Sequence, residues 1–342
     1  MSDAAAPQKR INLALQGGGA HGAFTWGVLD ALMDDGRLDV EAISGASAGS
    51  MNAVVYAEGF KRNGRVGVRE ALHRFWLSVS NEGVLTPLQR RIFDAWFGAF
   101  NLAGGPMLKM VDALTHYASP YEFNPLNLNP LRDHLVKMVD FDAVRAETGV
   151  KLFIAATNVR TGKAAIFTRD ELTADKVMAS ACLPQLFQAV EIDDAAYWDG
   201  GYMGNPPLWP LTYESSSEDT IIVQINPIIR PDVPKTVREI QNRINEITFN
   251  GALLGELRAI NFVSRLVDRG ALHHSEYKRP RIHRIGGDGL LAMLSADTKS
   301  DTNWGFLTKL RDLGRAAARR WLAENFDAIG VRGTMNLRDE VS

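Results

Sequence analysis

Cysteine is almost absent from the sequence. Cys182 is the only one in 342 residues, so no intramolecular disulfide can form and no zinc site can be built from thiolates alone. This composition fits a reducing compartment, where thiols stay free. No motif typical of a nucleophilic thiol surrounds Cys182, and we interpret it as a small buried residue.

Neither sign of charge dominates, and long apolar runs are missing. The 38 Lys and Arg residues nearly balance the 40 Asp and Glu residues, which gives no electrostatic reason to expect nucleic-acid binding. No stretch reaches the roughly 18 consecutive apolar residues of a transmembrane helix. Residues 1–10 form a polar tail without the apolar core of a signal peptide, so we expect a cytoplasmic protein.

Clusters of metal-ligating residues are lacking as well. Asp193 and Asp194 are adjacent acids, but a loop with two acids is usually a turn. We therefore expect no metal and no cofactor.

Hydrophobic residues make up 46% of the chain, which is ample for a large core.

The first 60 residues alternate between strand-like and helix-like patterns. Apolar segments at 11–16 and 40–44 have the length of buried strands, and each leads through small residues into a helical pattern. This order predicts a mainly parallel sheet with helices on its faces, an α/β fold. Further strands are predicted at 152–156, 164–168, 189–192, 220–225 and 281–285.

Two later regions have a different character. Residues 84–131 are rich in Phe, Trp, Met and Pro, which predicts an irregular helical insertion that forms either a lid or part of the core. Residues 230–342 contain long amphipathic patterns and predict a mainly helical C-terminal extension. In this extension Arg311, Arg315 and Arg319 share one helix face, interpreted as solvated, with docking to an anionic surface as the alternative.

A glycine-rich loop follows the first strand. Gly17, Gly18 and Gly19 stand between that strand and a helix, where backbone N–H groups and the helix N-terminus favour a phosphate or a developing oxyanion. The loop also fits the G-x-G-x-x-G dinucleotide fingerprint, and Glu41 follows near the spacing of a ribose-binding acid. Both interpretations remain open from the loop alone.

The second strand leads into a G-x-S-x-G motif centred on Ser47. Its strand-to-helix context is that of a nucleophile elbow, in which small neighbours let the backbone turn tightly around the serine. In an ordinary α/β-hydrolase an acid and then a histidine follow the serine. His273, His274 and His283 come late enough, but the first two lie in a polar run typical of a solvated loop.

A third motif, Asp199-Gly200-Gly201, supplies another candidate base. An aspartate at a strand end, followed by two glycines, can turn its carboxylate toward a pocket, although Asp-Gly is also a common turn pair.

The ordered set of glycine loop, G-x-S-x-G and D-G-G resembles the patatin-like phospholipase family. The resemblance covers residues 11–229 and implies a three-layer α/β/α sandwich forming the catalytic domain. It implies a Ser–Asp dyad, with Ser47 as nucleophile, Asp199 as base and the amides of Gly17–Gly19 as oxyanion hole. The family loop more often has Lys or Arg where this chain has His21, and a histidine titrates near neutral pH.

The function implied by this resemblance is a calcium-independent lipid acyl hydrolase of phospholipase A or lysophospholipase type. Its expected partner is a lipid or acyl-ester substrate, with peripheral membrane contact possible. Alternatives are a carboxylesterase or thioesterase on soluble acyl substrates, and a non-catalytic lipid-binding regulatory protein. The joint presence of Ser47 and Asp199 favours an enzyme over the latter.

Overall fold

The fold is built around one mixed, mostly parallel sheet. The computed structural model describes residues 8–80, 119–273, 276–287 and 301–341, together with 289, 291, 294, 298 and 299. The described strands form a single eight-stranded sheet in the order β5-β6-β3-β2-β1-β7-β8, with β4 also paired to β3. Their bounds are β1 Lys9–Leu15, β2 Leu38–Gly45, β3 Lys151–Asn158, β4 Ala164–Thr168, β5 Val190–Ile192, β6 Ala195–Asp199, β7 Asp219–Gln224 and β8 Arg281–Gly286.

Helices cover both faces of this sheet. Alternate strand residues point to opposite faces, and Leu13 and Ile43 belong to a large core while Ala14 and Ala42 belong to a second, smaller one. The helices are α1 Gly22–Asp35, α2 Ala48–Val79, α3 Pro120–Phe123, α4 Pro130–Met138, α5 Phe141–Ala146, α6 Ala174–Ser180, α7 Trp209–Glu214, α8 Val237–Asp268, α9 Trp304–Asn325 and α10 Leu337–Val341. The predicted α/β fold with a helical C-terminal part is confirmed.

The larger core lies under α1, α2 and α9, and the smaller core lies under α7 and α8. Strands β1, β2, β3, β7 and β8 run parallel, whereas β4, β5 and β6 are antiparallel to their neighbours. The carboxyl ends of the parallel strands therefore meet at one edge of the sheet, where ligand sites of α/β proteins usually form.

Helix α9 of the C-terminal extension packs directly on α1. A Cβ at Gly27 would lie 1.9 Å from the Arg311 carbonyl oxygen, and a Cβ at Gly314 would lie 2.1 Å from the Phe24 carbonyl oxygen. Only glycine permits this approach of two helix backbones. The predicted arginine face also points here, because Arg315 pairs with Asp30 at 2.8 Å and Arg319 with Asp34 at 3.2 Å. The face is thus shared between helix α1 and solvent, since the Arg319 side chain is 61% exposed.

Three sequence expectations meet the structure differently. The helical pattern expected after the second strand belongs to α2, which continues to Val79 and is kinked at Asn63 and Gly64. The insertion predicted at 84–131 lies outside the described residues as far as 118, and its remainder includes α3 and the start of α4. The predicted strands are present, with ends shifted by up to two residues, and β6, predicted only through its end at Asp199, is an additional one.

Candidate active site

Ser47 lies on a strained turn between β2 and α2. Its backbone φ of 52° falls in the left-handed region, which residues with a side chain rarely occupy and which is common at functional sites. The turn is tight because the adjacent residues are alanines and Gly45 and Gly49, two positions away on either side, lack side chains. A Cβ at Gly49 would lie 2.1 Å from the Leu15 carbonyl oxygen. The G-x-S-x-G pattern therefore folds as the nucleophile elbow that its sequence context predicts.

The glycine loop lies directly against this turn. A Cβ at Gly17 would be 2.6 Å from both the Ser47 Cβ and the Ala46 carbonyl oxygen. Because β1 and β2 pair in register up to Leu15 and Gly45, the loop that follows β1 and the elbow that follows β2 emerge side by side. The structure thus brings together the first two of the three motifs.

Strand pairing explains how Asp199 reaches the same place. Residue Ala156 of β3 pairs with β4 on one side and with Asp199 of β6 on the other. Strand β2 occupies that second edge of β3 only as far as the pair Gly45–Ile154. Strands β2 and β6 therefore pair with the same edge of β3 and run in opposite directions. Gly45 and Asp199 pair with β3 residues that lie two positions apart, a distance of roughly 7 Å.

The backbone and one carboxylate oxygen of Asp199 are held firmly. Its Oδ1 accepts a 2.7 Å hydrogen bond from the Gly201 amide, and its carbonyl oxygen accepts one from Thr157 Oγ1 at 2.8 Å. Gly200 has to be a glycine, since a Cβ there would lie 2.1 Å from the Ala155 carbonyl oxygen. These contacts leave the second carboxylate oxygen, Oδ2, for another group.

Asp199 Oδ2 and Ser47 Oγ are both buried, and neither has a hydrogen-bond partner of normal geometry among the described residues. The Asp199 side chain is fully buried. This burial raises the pKa of its carboxyl to about 7, against the lowering effects of the Gly201 amide and the Ser47 hydroxyl. The hydroxyl therefore lies near enough to act on the carboxylate, and the carboxyl has the pKa of an effective base near neutral pH.

The short segment from Ser180 to Cys182 positions both Ser47 and Asp199. The Ser47 amide donates to the carbonyl oxygen and to Oγ of Ser180, each at 3.1 Å. The Asp199 amide donates to the Cys182 carbonyl oxygen at 2.7 Å. Cys182 itself is buried, and burial raises the pKa of its thiol to about 12. It is therefore inert as a nucleophile and serves this packing.

The amides of the glycine loop are not equivalent. The Gly17 amide donates to Asn205 Oδ1 at 2.6 Å, so it is already in use. The described residues supply no acceptor for the amides of Gly18 and Gly19. A 3₁₀ turn at Gly19–His21 then leads into α1, whose N-terminus adds positive potential to this loop.

Buried side chains of Asn and Gln residues form hydrogen bonds that fix the glycine loop and the strand end beside it. Most of these residues were not predicted from the sequence. Gln16 Oε1 accepts from the amides of Ile225 and Asn226, each at 2.9 Å, and Asn226 Nδ2 donates to the Gly17 carbonyl oxygen at 2.6 Å. Asn205 contributes as well, because its Oδ1 accepts from the Gly17 amide. Nothing local to Gln16 or Asn226 indicates this role, because their partners are distant in sequence.

Histidines do not complete a Ser-His-Asp triad in the described part of the chain. His283 is buried on β8 and contacts Asp219 Oδ1 at 3.0 Å near the amino end of β7, away from the carboxyl ends where Ser47 lies. His273 is exposed, and His274 lies outside the described residues. His21 is buried, and its burial, with the charges of Lys299 and Arg230, holds its pKa well below the ordinary value.

The dinucleotide interpretation of the glycine loop fails at Glu41. A ribose-binding acid belongs at the carboxyl end of the second strand. Glu41 instead lies at an irregularity in the pairing of β1 and β2, and it accepts hydrogen bonds from Ser216 and Ser217. Within the described residues no group of three or more His, Cys, Asp and Glu side chains could hold a metal ion.

A family model of patatin-like phospholipases matches residues 13–212. The chain belongs to the patatin-like phospholipase family. This match contains all three motifs, and it assigns the protein to the lipid hydrolases, enzymes that act on lipid esters. No curated protein sequence matches the chain significantly.

Two solved structures with low overall similarity accompany this match. VipD from Legionella pneumophila is 16% identical over 93% of this chain and 67% of its own, with a TM-score of 0.43. The type III effector protein ExoU is 11% identical over 93% of this chain and 53% of its own, with a TM-score of 0.35. The chain thus spans about two thirds of the one and half of the other. In its described part, no helix combines the length and apolar character needed to cross a membrane.

Proposed function

We propose that this protein is a serine-dependent lipid acyl hydrolase that cleaves carboxylic esters through a Ser47–Asp199 dyad. The observation that carries this proposal is the pair of buried atoms, Ser47 Oγ and Asp199 Oδ2, which the described residues leave without other partners. A buried hydroxyl and a buried carboxylate oxygen that lack partners are costly to maintain, and their use in chemistry explains why both persist.

Each residue has one role in the reaction. Asp199 accepts the Ser47 hydroxyl proton through Oδ2 while Ser47 Oγ attacks the acyl carbonyl carbon. The amides of Gly18 and Gly19 donate to the oxyanion of the tetrahedral intermediate. The proton passes to the departing alcohol, and an acyl-enzyme remains on Ser47. A water molecule, deprotonated by Asp199, then releases the fatty acid and restores the hydroxyl.

Gly17 does not have the oxyanion-hole role that the family resemblance implies for its amide. With its amide donating to Asn205, we assign the oxyanion to the next two amides. Gly17 contributes the absence of a side chain, since a Cβ would collide with Ser47. His21 is neutral at physiological pH because its pKa is depressed, so we assign it no charge in substrate binding.

Hydrolysis of mixed-acyl phosphatidylcholine vesicles and of a short-chain p-nitrophenyl ester tests this function. We expect the wild type to release fatty acid from the vesicles, and the position of attack follows from which acyl chain appears. Ser47→Ala should lose at least about 1000-fold in kcat while keeping its circular dichroism spectrum. Activity on the soluble ester alone would favour the carboxylesterase alternative, and an active Ser47→Ala would overturn the proposal.

A further inference from the structure

A buried group of charged residues lies behind the glycine loop, and the reaction proposed above does not use it. Lys299 is 5% exposed and Glu246 is 2% exposed. Arg230 pairs with Glu246 at 2.7 Å, and Arg243 pairs with it at 3.2 Å. All four residues belong to the C-terminal extension, far in sequence from the loop at Gly17.

Hydrogen bonds connect Lys299 to this loop. Its Nζ donates to Asn226 Oδ1 at 2.9 Å, and Asn226 Nδ2 donates to the Gly17 carbonyl oxygen at 2.6 Å. A lysine ammonium can only donate, so it fixes which end of the Asn226 amide faces the loop. The adjacent residue, Thr298, also meets the loop through a 2.8 Å contact between its Oγ1 and His21 Nε2.

The Gly17 carbonyl and the Gly18 amide belong to the same peptide unit. Because a trans peptide is planar, its N–H points away from its C=O, and a hydrogen bond that holds the Gly17 oxygen also aims the Gly18 N–H. A carbonyl that accepts a hydrogen bond makes its own N–H a stronger donor. The chain of bonds from Lys299 through Asn226 therefore ends on an amide assigned to the oxyanion hole.

Among the described residues, Glu246 is the one acid that acts on the charge of Lys299. Glu246, the acid that acts on it, is shared with two guanidinium groups, so these four residues carry an excess of positive charge. Burial lowers the pKa of Lys299 to about 8 while Glu246 acts to raise it. The ammonium is thus mostly protonated at neutral pH, whereas the loop's own His21 is neutral.

We infer that Lys299 is a positioning residue for the oxyanion hole, acting through Asn226 to orient and polarise the Gly17–Gly18 peptide. This inference rests on the proposed Ser47 chemistry. The C-terminal extension thereby supplies the glycine loop with a cation that the loop itself lacks.

Replacement of the charge separates this role from simple packing. Lys299→Met should lower kcat on the p-nitrophenyl ester about tenfold or more, less than loss of an oxyanion donor itself, with KM changed less than about twofold. Lys299→Arg should recover most of kcat, and Lys299→Gln should fall between. Folding should survive because Glu246 keeps its two arginines, and thermal unfolding checks this. Lys309→Met, an exposed lysine on α9, is the matched control.

The order of labelling rates gives a second readout. The serine oxygen attacks the phosphorus of a fluorophosphonate and displaces fluoride while the phosphoryl oxygen occupies the oxyanion hole, so labelling should slow in the same order as kcat. In the background of Asn226→Ala, Lys299→Met should have no further effect, because the two residues act in series. Wild-type rates in Lys299→Met, or independent effects of the two changes, would overturn the inference alone. An unreactive wild type would overturn the proposed function itself.

Discussion

At the scale of single residues, the role proposed for Asp199 predicts how the activity depends on pH. Its burial raises the pKa of the carboxyl to about 7, and only the carboxylate can accept the Ser47 proton. We expect kcat/KM to rise about tenfold per pH unit below pH 7 and to level off between pH 7 and 8. A pH–rate profile on a soluble ester measures this, and a profile already flat from pH 5 to 8 would contradict it.

The buried carboxylate of Asp199 should also lower the free energy of unfolding. Because its folded pKa lies above its ordinary value, its contribution to the free energy of unfolding declines as pH rises from about 4 to 7 and is lowest above that range. Asp199→Asn keeps the oxygen that accepts from Gly201 and removes the buried charge. We therefore expect it to raise the melting temperature by roughly 2–4 °C at pH 8.

The control for this stability effect is the same pair of proteins at pH 5. There the folded wild type already carries a neutral Asp199, so the gain from Asn should be smaller. A variant that melts below the wild type at pH 8, or that gains equally at both pH values, would show that the carboxylate is not destabilising.

At the scale of elements, the contact between α1 and α9 depends on glycine. Gly314→Ala places a Cβ 2.1 Å from the Phe24 carbonyl oxygen, so the helices must separate. We expect a loss of about 1–3 kcal/mol in the free energy of unfolding, measured by urea denaturation. The matched control is Gly255→Ala on α8, where a Cβ meets nothing within 4 Å and should add about 0.5–1 kcal/mol. Equal effects at both sites would contradict the close-packing account.

Sequence patterns predicted the elements whose signals are local. The glycine loop, the Ser47 elbow and the Asp199 turn each occupy a few consecutive residues, and their backbone requirements can be recognised from small residues at strand ends. Strand β6 was predicted only through the strand end at Asp199 and without bounds, because its pattern is short and partly exposed. The ion pairs of the arginine face on α9 were not predicted, since the sequence alone does not indicate that Asp30 and Asp34 lie opposite it.

The support of the site could not be predicted for the same reason. Asn226 contacts Gly17 across 209 residues of sequence, and Lys299 contacts Asn226 across 73. An isolated Asn or Lys carries no signal of a buried partner. The approach of β2 and β6 along one edge of β3 likewise emerges only from strand pairing. Local motifs thus led to the residues proposed to react, whereas the tertiary fold determines what holds them.

At the scale of the whole molecule, residues 230–342 contribute to the same sheet and cores as the region before them. Strand β8 pairs with β7, α9 packs on α1, and α8 supplies Leu253 and Leu257 to the second core. A chain ending at residue 229 would expose both cores. We expect it to lack cooperative thermal unfolding and to be inactive, whereas a chain ending at residue 336, without only the short α10, should fold.

This prediction can fail clearly. If the chain ending at residue 229 unfolds cooperatively near the wild-type melting temperature, the extension is a separate domain, and Lys299 cannot be required for the loop's structure. Circular dichroism melting of both truncated chains beside the full chain gives the answer.

The account centres on Ser47 as a nucleophile activated by Asp199, and fluorophosphonate labelling located by peptide mass spectrometry tests it most directly. We predict one adduct per chain, on Ser47, with the labelling rate reduced at least about 100-fold in Asp199→Asn although that variant is folded. Labelling at another residue, or labelling of Asp199→Asn at the wild-type rate, would contradict the dyad.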